Sequence, residues 1–229
     1  MIERIVDEIP RFFTWYNTIF FLKAMGITLA LTLIGCGLGS VLGFVLVYGR
    51  QTRGRLFTPI RVLIVGYVEI FRRIPFLVLL FIVLFTTEGF GVRVSFFGIA
   101  LIAICVISTA YISEIIRAGF EAIHRNQWDA AEAMNFGRVA TLRYVIMPQA
   151  WKVILPPAFA YFVMFIKDTA LASQMGVLEL TRVAKIFNDR GYSAFLTFGT
   201  CLLLYFILSY PLTRFGQHLE RRLASSRNR

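Results

Sequence analysis

Charge is scarce in this chain. Only 16% of its 229 residues are Asp, Glu, Lys or Arg, where a soluble domain carries roughly 25%. Acids are the rarer sign, 13 against 24 Lys and Arg, which leaves a formal net charge of +11. The three cysteines, Cys36, Cys105 and Cys201, lie far apart inside apolar runs. Their spacing excludes a CxxC-type zinc site and a disulfide-stapled scaffold, and leaves small packing residues as the reading. No G-x-x-x-x-G-K-[ST] stretch occurs, so the chain has no phosphate loop of its own. The opening MIERIVDEIPRFF lacks the basic start of a cleaved signal peptide, and the whole chain is expected to be mature protein.

Apolar residues are what the chain has in quantity: 58% of it, 23 of them Phe, with a mean hydropathy of +0.70. One core of this size cannot hide that much apolar surface, and disorder is excluded. An all-α integral membrane protein is expected. Runs near the ~20 residues needed to cross a bilayer occur at about five places, 24–48, 62–86 (interrupted), 96–116, 153–173 and 194–212. Between them, basic residues number four, five and five on alternate segments, against two, one and three on the others. The positive-inside rule then predicts five spans with the N-terminus outside and the C-terminus in the cytoplasm. The excess charge is thus mostly an orientation signal, and nucleic-acid binding is not expected because no compact basic module collects it.

The spans carry their own signals. Gly35, Gly39 and Gly43 recur every four residues on one helical face, a pattern that lets another helix approach closely. Glu69, Arg72 and Arg73 precede Pro75 inside the second apolar run, which suggests a broken helix beside a translocation route; snorkelling or a Glu69 salt bridge is the plainer account. Glu114 and Arg117 share a face three residues apart, as an intrahelical pair or with Glu114 lining a cavity. Lys167 and Asp168 lie 11 and 12 residues past Pro156, about 16 Å and more along a helix, between the middle of the membrane and its outer side.

The segment 120–150 is the longest polar interruption. Asp129 to Met134 is Ala-rich and helix-favouring, Asn135 and Gly137 are turn formers, and Leu142, Val145 and Ile146 are spaced as an apolar helical face. A helix, a turn and a second helix are expected to project from the cytoplasmic side.

This loop resembles the EAA loop of ABC transporter permeases, E-A-A, three residues, Gly, nine residues, I-x-L-P. Asp129-Ala130-Ala131 stands for E-A-A, Asn135 for the Gly, and Val145, Met147 and Pro148 for I-x-L-P. Three other stretches are similar to the polar amino-acid uptake subfamily: Glu69 to Pro75 with Arg73 in place of Gly, Tyr111 to Gly119, and Leu155-Pro156-Pro157 followed by Lys167-Asp168-Thr169. The resemblance covers roughly residues 20 to 215. It implies a type I importer permease fold forming one transmembrane domain over 1–229. It also implies a second permease subunit, identical or paralogous, an ABC ATPase homodimer and a periplasmic or lipid-anchored solute-binding protein, in the bacterial cytoplasmic membrane. No cofactor is expected on this chain; ATP and Mg belong to the ATPase. The resemblance further implies that Trp128, Asp129, Ala130, Ala131, Glu132, Met134, Asn135 and Gly137 form the ATPase-coupling element. Glu69, Arg72, Glu114, Lys167 and Asp168 are the candidate translocation residues. A polar or charged L-amino acid is the expected substrate, and Arg72, Arg73 and Lys167 lean the expectation towards glutamate or aspartate. A secondary transporter would use an intramembrane ion site and repeated halves, which are not evident; a channel would leave the loop motif without a purpose.

Overall fold

Pro75 divides the second apolar run. In a computed structural model, which describes residues 2–50 and 57–225, the run is two 14-residue helices, α3 (Thr58–Phe71) and α4 (Phe76–Gly89). Pro75 supplies no N–H and takes an extended conformation (φ −58°, ψ 136°) as the N-cap of α4. Each half is about 21 Å long, short of the roughly 30 Å hydrocarbon core. The expectation of five spans becomes four continuous helices and one broken pair. The continuous ones are α2 (Trp15–Arg50), α5 (Phe96–Glu121), the segment Arg138–Met175 and α10 (Ala194–Ser225). No strand occurs among the described residues. Arg53, Arg55, Arg227 and Arg229, which contribute to the charge asymmetry, lie outside the described residues.

The segment Arg138–Met175 is not uniform. It contains α7 (Arg138–Ala140), a π-helical stretch Thr141–Ile146, α8 (Met147–Asp168) and a 3-10 stretch Thr169–Met175. α8 runs through Pro156 and Pro157, so the carbonyls one turn earlier lose their helical donors. Two helices lie outside the expected spans: α1 (Ile2–Phe12) before the first, and α9 (Leu180–Asp189) between the fourth and the fifth. Helix α6 (Arg125–Ala133) lies in the polar loop.

The chain divides into two compact units. One comprises residues 1–37, 74–105 and 162–212. Its core gathers Phe12, Phe21, Ala24, Ile166, Leu180, Val183, Ala184 and Phe187. Leu180, Val183, Ala184 and Phe187 are spaced i, i+3, i+4, i+7, the apolar stripe of an amphipathic helix. Phe187 stacks on Phe21 at 5.1 Å and meets Phe12 edge-on at 5.4 Å. The backbone N–H of Ser193 donates to Glu8 at 2.7 Å, which fastens α1 to this unit. Outward-facing Leu202, Leu203 and Phe206 of α10 are exposed, as lipid-facing positions require.

The other unit comprises residues 38–73, 106–161 and 213–229. Tyr67 of α3 donates to the Val106 carbonyl of α5 at 2.6 Å, and Phe159 of α8 meets Phe215 of α10 at 5.5 Å. Helix approach is close here. A Cβ on Gly39 would collide with Ser108 of α5, one on Gly43 would lie 2.9 Å from the Ser113 nitrogen, and one on Gly119 would collide with Ile154 of α8. In the first unit a Cβ on Gly35 would likewise collide with Ile104. The four-residue glycine stripe of α2 therefore faces α5.

Candidate functional site

The polar loop folds as a helix, a turn and a helix. His124 caps α6, its Nδ1 accepting from the Asn126 N–H at 3.3 Å. At the other end the chain reverses through Asn135, whose φ of 59° is the only positive value on a non-glycine among the described residues. Asn tolerates that conformation better than other side chains. Gly137 is extended (φ −64°, ψ 157°) and does not use its freedom. The Phe136 N–H donates to the Ala131 carbonyl at 3.0 Å, closing the last turn. Gln149 of α8 donates to the Gln127 side chain at 3.1 Å and to the Val145 carbonyl at 2.9 Å, which ties α6 to the helix entering the membrane.

Exposure sorts the expected coupling residues. Asp129, Ala130, Glu132, Asn135 and Gly137 are exposed, Trp128 is half-buried, and Met134 projects with 68% of its surface open. Ala131 is buried at 2%. It packs inside the loop and offers no surface to another chain.

At the helix break, two of the expected pathway residues, Arg72 and Glu114, come together. The Glu114 carboxylate accepts from Arg117 at 2.5 and 2.9 Å, with Arg72 at 3.6 Å and Arg50 at 3.9 Å. Three helices, α2, α3 and α5, thus point a guanidinium at one carboxylate or carry it; Arg117 is held on its far side by Glu121. The Arg72 carbonyl accepts from Tyr111 at 3.0 Å, and its guanidinium lies 5.7 Å from the Tyr111 ring centroid. Arg73 reaches back to Glu69 at 2.7 Å, an exposed i,i+4 pair. Exposed pairs of that kind contribute little to stability. Glu114 is different, because three cations depend on it and its side chain is only 22% exposed. Glu114→Ala is expected to destabilise the protein by about 2 kcal/mol, since hydrogen bonds to charged groups contribute about 1.5–3 each and partial solvation returns some of the loss. Thermal unfolding of the purified protein beside Glu69→Ala checks this; equal midpoints for the two variants would show that Glu114 is no hub.

Lys167 and Asp168 lie in the other unit, at the end of α8. Lys167 is exposed and Asp168 half-buried. Close to them in sequence is a residue that sequence reasoning missed. Glu179 lies between the fourth and fifth apolar runs, yet its exposure is 0%. It is the N-cap of α9: Oε2 accepts from the Thr181 N–H at 2.9 Å and from the Tyr205 hydroxyl at 2.7 Å, and Oε1 from the Arg182 N–H at 2.7 Å. The Leu180 N–H donates to the Thr28 hydroxyl at 3.4 Å, and Lys185 donates to Ser173 at 3.1 Å. Burial pushes the Glu179 carboxyl above the usual carboxylate range, against the lowering effect of its three donors. The signal that could have found α9 is the apolar i, i+3, i+4, i+7 pattern that follows Glu179.

Comparison with known proteins assigns the family and the fold. Residues 35–225 match the family described as binding-protein-dependent transport system inner membrane component. The chain belongs to this family. The permease is 34% identical over 197 residues to the L-cystine transport system permease protein TcyB of Bacillus subtilis, covering 86% of this chain and 83% of that one. It is 30% identical over 224 residues to a putative glutamine transport system permease protein GlnP of Rickettsia conorii, covering 97% and 99%. Among solved structures it is similar to an amino acid ABC transporter crystallised with histidines, with a TM-score of 0.83, 30% identity, and 90% and 95% coverage. The MetNI methionine ABC transporter in inward-facing conformations shares the fold, with a TM-score of 0.77 at 22% identity, and 92% and 99% coverage. The protein is a membrane-spanning permease of the amino-acid ABC importers and not itself an enzyme.

Proposed function

We propose that the permease works in the bacterial cytoplasmic membrane with its N-terminus outside, as half of a pair with an identical or paralogous subunit. An ABC ATPase homodimer, carrying ATP and Mg, holds the 120–150 loop, and a periplasmic or lipid-anchored binding protein delivers the substrate. The observation that carries this reading is the hydrogen-bonded helix–turn–helix closed by Asn135, whose exposed rim includes Asp129, Ala130, Glu132 and Met134. A lever must be stiff and must expose a grip. ATP's unequal affinity for the two states of the assembly then drives the permease pair between inward-open and outward-open forms.

Met134→Arg is expected to reduce transport at least tenfold while the permease still reaches the membrane, because Met134 is largely exposed. Transport into proteoliposomes containing the ATPase and binding protein checks it, beside abundance of the permease in membranes. Undiminished transport would remove the loop's coupling role. Ala131 is the wrong probe, since a charge there would unfold the loop it is meant to test.

For the substrate we propose a polar L-amino acid. The acidic members of that class draw their support from Lys167. Arg72 and Arg73 already face Glu114 and Glu69, so a substrate carboxylate would compete with carboxylates of the chain itself. Calorimetric titration of the partner binding protein with glutamate, aspartate, glutamine, cystine and histidine discriminates these. Tight binding of glutamine or cystine without glutamate would end the acidic reading.

A further inference from the structure

Between the last turn of α2, the start of α3 and the polar loop lies an open cavity of about 920 Å³. Its wall carries four arginines, Arg50, Arg61, Arg125 and Arg138, against two carboxylates, Asp129 and Glu132. Asp129 lies 3.9 Å from Arg125, and Arg50 stands at the outer limit of ion-pair reach from Glu114, at 3.9 Å. The cavity is thus net cationic, and Tyr48, Phe57 and Trp128 give it apolar faces. Guanidinium groups recognise phosphate through paired N–H donors, and the size falls within the range of ordinary ligand sites.

Two sources could supply a phosphate anion here, a soluble phosphate or a phospholipid. The surface beside the cavity favours the second. Ile60 and Leu63 of α3, three residues apart and so on one face, are 48% and 73% exposed, so the helix that carries Arg61 also bears an apolar strip. α2, whose end forms one wall, is long and apolar enough to cross a membrane. We propose that the cavity seats the phosphate headgroup of an anionic phospholipid, with acyl chains lying along the exposed strip of α3. Basic residues next to a membrane attract such lipids, and a cavity that collects them makes the attraction specific. The lipid would brace the coupling loop against the ends of α2 and α3. That consequence rests on the proposed coupling role; the binding itself rests only on the membrane fold.

The test reads retained lipid without turnover, so a failure of the coupling reading does not affect it. The permease, purified with its ATPase, is exchanged into nanodiscs of phosphatidylcholine with phosphatidylglycerol, released, and analysed by native mass spectrometry. The wild type is expected to retain phosphatidylglycerol in preference to phosphatidylcholine. The double variant Arg61→Gln with Arg138→Gln should lose that preference several-fold. Arg143→Gln, which removes one charge from the same loop outside the cavity, should keep it. The pair Arg61→Lys with Arg138→Lys keeps the charge without the planar fork and should retain an intermediate preference, which covers the case in which the glutamine pair fails to assemble. Equal retention by wild type and the glutamine pair overturns the proposal, as does loss in Arg143→Gln or no weakening in the lysine pair. Soluble glycerol phosphate should not displace the retained lipid. If it binds the wild type over the double variant while phosphatidylglycerol is not retained, the site belongs to a free phosphate and the lipid assignment is wrong.

Discussion

Glu179→Ala is expected to lower the thermal midpoint of the permease by about 10 °C. The variant leaves the N–H groups of Thr181 and Arg182 and the Tyr205 hydroxyl without their acceptor. Each buried donor left unpaired costs about 1–3 kcal/mol, and loss of an N-cap about 1 kcal/mol. Partial relaxation brings the sum to about 3–4 kcal/mol, and each kcal/mol is worth about 2–4 °C in a chain of this size. The damage should spread to the 3-10 stretch Thr169–Met175, because Lys185 of α9 donates to Ser173 there. Thermal unfolding of the purified complex measures the shift. A change of a degree or two would mean that water takes the place of the carboxylate and that Glu179 is no anchor.

The same residue sets a pH dependence whose sign follows from its burial. Its folded-state carboxyl is shifted upward, so the folded protein binds the proton more readily than the unfolded chain. The stability this group contributes is complete below the ordinary carboxylate range and is lost as pH rises through the raised folded-state value. Arg182 and Lys185 share its helix, Tyr205 and Cys201 face it from α10, and none of them is replaced in Glu179→Gln. That variant should therefore flatten the descending part of the stability–pH curve that Glu179 produces. An unchanged slope would place the titration elsewhere.

Gly39→Leu is the second large effect, expected to destabilise by about 3 kcal/mol and to cut the amount of permease recovered from membranes. A Cβ at Gly39 would collide with the Ser108 side chain and lie 3.0 Å from both the Ser108 carbonyl carbon and the Thr109 nitrogen. Two of those three atoms are backbone, so no rotamer change makes room. α2 and α5 would have to separate. Gly37, two residues away on the same helix, has nothing within 4 Å of an added Cβ. Gly37→Ala should instead stabilise by about 0.5–1 kcal/mol, the helix-propensity gain over glycine. Opposite signs for Gly39→Leu and Gly37→Ala are the outcome to look for. Equal effects would mean that the stripe is not a packing surface.

The extent to which the site is legible in the chain follows from the range of the forces involved. The helix–turn–helix of 125–149 is local: an Ala-rich run, a residue tolerant of φ 59° and an apolar face suffice to write it. The break at Pro75 is equally local, since a missing N–H acts on its own turn. Whether Glu114 serves Arg117 alone or Arg50 and Arg72 as well depends on how α2, α3 and α5 meet, which no spacing within α5 encodes. The burial of Glu179 has the same origin, because Tyr205 reaches it from α10.

Membrane residence, the number of apolar segments, the break in the second and the hinge of the loop all follow from composition and short-range pattern, because hydration of apolar runs and backbone sterics act within a few residues. Tertiary structure alone decided which of these charges are matched, which small residues touch, and that an apparent loop acid caps a buried helix. Those are properties of surfaces brought together across tens or hundreds of residues, and their energies exist only once the surfaces meet.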